Sequence, residues 1–174
     1  MSELLRSLVS YNAWANKDLL DTLATVDPVA QADELKTAIR LLNHSHIVAQ
    51  IFAANLSGRP HPYTADNTAD TPALADLRTD LLAIDQWYLD YVGTVPPAAW
   101  GQQIAFRFTD GDPGFMSREE MVTHMTLHGG YHRGEIGLTL KWLKVPLPWD
   151  TYAVFLHQSE PLRRRQGNVA AALA

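Results

Sequence analysis

The stretch SREEMVTHMTLHGGYHRGEIGLTLKWLK, residues 117–144, reads as one long helix. It opens with a capping box: Ser117 stands at the N-cap and Glu120, three residues on, can reach back to it. Val145-Pro146-Leu147-Pro148 stops it. His124, His128 and His132 recur at every fourth position, and a rotation of about 40° per step keeps all three imidazoles on one side. A pair at i, i+4 can bring two ring nitrogens to one metal ion. A straight helix does not bring all three, because His124 and His132 stand about 12 Å apart along the axis. Gly129, Gly130, Gly134 and Gly137 interrupt the same helix, at about 1 kcal/mol each relative to alanine. Close helix packing or room for a ligand would account for them.

Three further segments carry helical periodicity. Residues 2–24 place Leu4, Leu5, Leu8, Val9, Trp14, Ala15, Leu19 and Leu23 on one side, with Ser2 as the predicted cap. Residues 34–57 follow, with Asp33 as predicted N-cap and Gly58 as C′ residue. Thr71-Pro72 is predicted to start the third, whose stripe is Leu74, Leu77, Leu81, Ile84, Tyr88 and Tyr91. The polar run 59–70 is a loop long enough to have a role at the mouth of a site. Between the third and fourth helices, Ile104, Phe106 and Phe108 alternate, Asp110-Gly111 reads as a turn, and Phe115-Met116 returns. Asp150 is the predicted cap of a short fifth helix through Leu156. The fold class is therefore all-α: a four-helix bundle over residues 1–157, with a crossover connection carrying a small hairpin. Residues 158–174 read as a frayed tail.

Composition narrows the chemistry. The 174 residues include 47% hydrophobic and 19% charged, enough for a core without staples. Without cysteine there is no disulfide, no thiolate-bound zinc or iron–sulfur cluster, and no cysteine nucleophile. With 14 basic and 19 acidic residues the net charge is −5, which argues against nucleic acid and anionic membranes as partners. No apolar run is long enough to span a bilayer and the start lacks signal-peptide character, so a soluble, cytoplasmic protein is expected.

Seven histidines stand out against this background. On the second helix, His44 and His46 point about 200° apart, so at most one faces a given partner. Periodicity does not choose: both faces carry apolar neighbours. A di-iron carboxylate bundle needs Glu-x-x-His pairs on two helices, and Glu120 lies four before His124, the wrong spacing.

Several segments together resemble the DinB-like (DinB/YfiT-like) family of four-helix-bundle proteins, whose members are read as metalloenzymes. They are Tyr11-Asn12-Ala13-Trp14-Ala15-Asn16, Leu42-Asn43-His44, His128-Gly129-Gly130-Tyr131-His132-Arg133-Gly134-Glu135, and Pro146 to Asp150. The resemblance implies one divalent metal ion held by His44, His128 and His132, with His124 beside the ligands rather than among them. Zinc or nickel comes first, with iron or manganese as further options. Two departures stand out. Ala49 and Gln50 occupy positions where many relatives carry an Asp-Arg pair, and Glu135 stands where glutamine is common.

Three imidazoles leave coordination positions open, the pattern of a catalytic site. The resemblance further suggests a thiol-dependent S-transferase, in which a low-molecular-weight thiol attacks a small-molecule electrophile. Metal-dependent hydrolysis and noncatalytic metal binding are the alternatives. Glu135 is the nearest candidate base, although it stands about 10 Å along the axis from His128. Tyr131 is a candidate for orienting substrate. A homodimer is expected, with the third helix's stripe offering apolar surface.

Overall fold

The computed structural model describes residues 3–163. Four long helices form: α1 (Glu3–Leu23), α2 (Ala32–Leu56), α3 (Leu74–Thr94) and α4 (Arg118–Trp142). A short α5 (Tyr152–Ser159) follows. Both α1 and α2 pack against α3 and α4, so α1 and α2 stand diagonally across the core. Leu20, Leu23, Leu42, Leu77, Met121, Ile136 and Leu140 are almost fully buried between them. Side chains of this size contribute about 1.5–3 kcal/mol each on burial. Tyr88 joins them because its hydroxyl donates to the Ala49 carbonyl at 2.9 Å, which satisfies the one polar atom it brings inside.

The connection from α3 to α4 carries β1 (Gln103–Arg107) and β2 (Pro113–Ser117), an antiparallel pair. Gly111, with φ +95°, makes the turn that Asp110-Gly111 predicts. Phe106 pairs with Gly114, and a Cβ on Gly114 would stand 2.4 Å from the Phe106 ring. The ring therefore lies over the glycine. Phe108 falls just beyond the strand. The hairpin packs against α2 and the start of α4. Arg118 anchors that start by donating to the Leu56 carbonyl at 2.7 Å and to the Tyr91 hydroxyl at 2.6 Å.

The capping box at Ser117 and Glu120 forms as read. Other caps differ. Asp33 lies inside the first turn of α2, whose N-cap is Gln31, without a side-chain bond. Thr71 does not cap α3; Pro72 and Ala73 run on, and Ala73 is the N-cap. A residue before proline is disfavoured in the helical region, which keeps Thr71 out of the turn. Thr151, not Asp150, caps α5, because Asp150 is engaged by Tyr11 and Arg133. The predicted cap Ser2 and most of the predicted tail lie outside the described residues.

The stripe on α3 is not available to a partner. Leu77, Leu81, Ile84 and Tyr88 are all buried in the bundle's own core. Exposed apolar side chains lie instead along α4, at Leu127, Tyr131, Leu138 and Trp142. No described helix is long and apolar enough to cross a membrane.

Candidate metal centre

The i, i+4 spacing on α4 brings the Nε2 atoms of His128 and His132 to 3.1 Å from each other. His44 enters from α2 and sets its Nε2 3.2 Å from that of His128. Ligand atoms of His44, His128 and His132 all lie within 4.8 Å of one another, and none of the three residues is fully exposed. The cluster is compatible with a bound metal ion.

Two of the rings are held from behind. His44 Nδ1–H donates to the Asp66 carbonyl at 2.8 Å, in the 59–70 loop. A carbonyl only accepts, so the proton sits on Nδ1 and the Nε2 lone pair is free. His132 Nδ1–H donates likewise to Glu135 Oε2 at 2.7 Å. The His128 Nδ1 is buried and has no hydrogen-bond partner among the described residues. That ring is held only by packing and by whatever its Nε2 faces. Burial, with the neighbouring imidazoles adding to it, pushes His128 down to about 3.

These observations fit a divalent ion. Three converging nitrogens cannot all be satisfied by one shared proton, whereas one cation satisfies all three lone pairs. Neutral imidazoles are suitable donors for zinc, nickel or iron(II). Backing a ligand ring with an acceptor, as at His44 and His132, is an arrangement by which proteins orient histidine ligands.

The remaining candidates lie elsewhere. His124 is half-buried, stacks on Phe52 with ring centroids 4.9 Å apart, and is outside the cluster. His46 is buried; burial lowers its affinity for a proton. Tyr131 is exposed and meets His132 edge-on. Glu135 is bound to His132 rather than poised over open space. Ala49 is buried, and Gln50 faces a different cleft beside Arg59 and Trp87.

A cavity of about 270 Å³ opens beside His44 and His128. Its walls come from α2, from His124 on α4, and from the hairpin at Phe106 and Phe108.

Sequence reasoning missed a buried polar network behind α4. Arg133 Nη1 donates to Asn12 Oδ1 at 2.7 Å and Asn16 Oδ1 at 2.9 Å, and its Nε donates to Asp150 Oδ2 at 2.8 Å. Asn16 in turn donates to both oxygens of Asp85, at 2.9 and 3.1 Å. Burial pushes the Asp85 carboxyl up to about 6, against the opposing pull of Asn16, Arg133 and Asn12. Two asparagines at i, i+4 on the apolar side of α1 were the available signal. Gly129 belongs to this network: a Cβ there would stand 2.5 Å from Asn12 Oδ1. Gly134 and Gly137 meet no such neighbour, and with Gly130 they line a cleft of about 740 Å³ beneath Pro148 and Trp149. Close packing thus accounts for Gly129, a Cβ at Gly130 would only touch the Arg133 guanidinium at 3.8 Å, and open space surrounds Gly134 and Gly137.

No curated protein and no solved structure matches the chain. The model of the DinB family matches residues 1–165, which includes all three clustered histidines and the network behind them. The chain belongs to the DinB family.

Proposed function

We propose that this protein is a divalent-metal-dependent enzyme that joins a small thiol to an electrophile. The observation that carries the reading is the convergence of three Nε2 atoms, two of them fixed as lone-pair donors by Asp66 and Glu135. His44, His128 and His132 are the proposed ligands. When bound, the ion supplies Lewis acidity, favouring the ionised form of a thiol or water presented to it. Three protein ligands leave room for such a molecule. The protein's part is to hold the three rings in place and to offer the adjoining cavity to the electrophile. A carbon–sulfur bond forms, the leaving group departs with the electrons of the broken bond, and the thiol proton goes to solvent.

The test uses metal content and turnover together. His44→Ala, His128→Ala and His132→Ala are each expected to lose bound metal, and His46→Ala and His124→Ala to keep it. Metal-loaded protein, given a panel of cellular thiols and a generic electrophile, should form conjugates visible by mass spectrometry. Metal retained by His44→Ala but lost from His46→Ala would overturn the ligand set. Metal-dependent cleavage of an ester or amide without any conjugate would replace the transferase reading with a hydrolase. Silence in both assays would favour a noncatalytic metal binder.

The proposed assembly is a homodimer, through α4 rather than α3. What supports it is the spacing of the exposed residues. Leu127 and Trp142, and within them Tyr131 and Leu138, lie at equal distances either side of the Gly134–Glu135 peptide. A twofold axis there, with antiparallel helices, would set Leu127 against Trp142 and Tyr131 against Leu138 of the second copy. It would also bring the acidic first turn, Glu119 and Glu120, towards the end that carries Lys141.

A further inference from the structure

We infer that the cavity beside the histidine cluster selects a small ligand with a flat aromatic body, its polar end turned towards His44 and His128. The inference deepens the metal-enzyme reading and rests on it for the polar end alone. The body is argued from the walls.

Those walls are ring surfaces and branched aliphatics. Phe52 and Phe106 pack with centroids 5.6 Å apart and planes tilted at 57°. His124 stacks on Phe52, nearly parallel at 25°. Phe108 meets Phe106 edge-on at 4.9 Å, and Val48 and Ile51 complete the apolar lining. Aromatic groups arranged at these angles accept a further ring by stacking or edge contact, a gain beyond the area buried. Aliphatic ligands would gain the burial but not this part.

The walls are set before any ligand arrives. Phe52 and Phe106 are buried within the core, and Phe106 is seated over Gly114, whose missing side chain makes the space for it. A preformed wall does not have to be ordered on binding, so more of the contact appears as affinity.

Charged groups lie at the mouth rather than on the walls. Asp66, Arg107 and Asp110 are exposed there, and Arg107 Nη1 already donates to the Gly111 carbonyl at 2.8 Å. Polar recognition inside the cavity therefore falls to the histidine end. Size limits the body further. About 270 Å³ lies just below the range of pockets that enclose drug-sized molecules, which suits one ring or a compact fused pair. In the proposed reaction this ring belongs to the electrophile.

Two hydroxamates with the same metal-binding head separate the two parts. Titration calorimetry on zinc-loaded protein would compare benzohydroxamate with acetohydroxamate. The phenyl compound is expected to bind about tenfold tighter or more, from ring burial alone. Phe108→Ala, at a residue 45% exposed and outside the core, should shrink that ratio several-fold and leave acetohydroxamate unchanged. Equal affinities, or a ratio unmoved by Phe108→Ala, would overturn the aromatic inference while leaving the metal site standing. If zinc is not retained, nickel, iron(II) and manganese are loaded in turn; if none is retained, or neither hydroxamate binds, the metal reading fails instead. The ring is then read on metal-free protein by NMR, with benzyl alcohol against ethanol. Shifts at Phe52, Phe106 and Phe108 with benzyl alcohol alone would support the inference, and their absence would overturn it.

Discussion

Glu135 Oε2 accepts the Nδ1–H of His132 at 2.7 Å, one turn along the same helix. The carboxylate thereby keeps the proton off Nε2 and holds the ring facing the cluster. This is a positioning role, and it can be separated from that of a base. Removing such a partner weakens metal binding about 10- to 100-fold. Glu135→Ala should do so in competition with a chromophoric chelator, whereas Glu135→Gln, whose amide oxygen still accepts, should stay near the parent. Equal loss in both variants would mean that the charge, not the acceptor, matters.

Asp85 should make stability depend on pH in an unusual direction. Its carboxyl stands at about 6 in the folded chain against 3.8 for the unreacted group, because burial disfavours the ion. Between those values the folded state holds more protons than the unfolded one. The contribution is therefore complete below about pH 4 and is lost as pH rises through 6, on the order of 3 kcal/mol. Histidine titrations overlap this window, so the readout is a difference. Urea unfolding of Asp85→Asn and of the parent, both metal-free, should show the variant gaining on the parent from pH 4 to pH 7. A gap that does not move with pH would contradict the assignment.

The α4 face gives a third expectation. Light scattering should report about twice the 19.4 kDa chain mass at micromolar concentration. Leu138→Glu should bring it to the monomer without loss of helix content, since Leu138 is 50% exposed and outside the core. A monomeric parent, or a dimeric variant, would show that this face is not the interface.

Much of the architecture was legible because its signals are local. The capping box at Ser117, the Asp110-Gly111 turn and the i, i+4 histidines each need only a few neighbouring residues. Gly58, with φ +64° just past α2, is another such signal. The misreadings share a different cause. Asp150 looks like a cap until Arg133 and Tyr11 are brought to it from 17 and 139 residues away. The α3 stripe looks like a free face until α1 and α2 pack on it and turn it into the core. The choice between His44 and His46 was open to periodicity, since both sides of α2 carry apolar groups. In the structure it is a backbone carbonyl, that of Asp66, that backs the His44 ring, and a backbone atom has no signature in residue type. The family resemblance reached His44 by motif rather than by geometry.

The hairpin divides labour within the chain. The clustered histidines sit on two long helices that also build the core, so their positions are tied to the stability of the whole bundle. Phe106 and Phe108 come from the hairpin segment, whose main packing is against α2 and the start of α4. A substitution at the exposed Phe108 can reshape one wall of the cavity without disturbing a ligand ring or the core, whereas Phe106 is tied to Phe52 of α2. A lineage can thus change what it admits while keeping how it reacts, and the hairpin is where such drift would accumulate first.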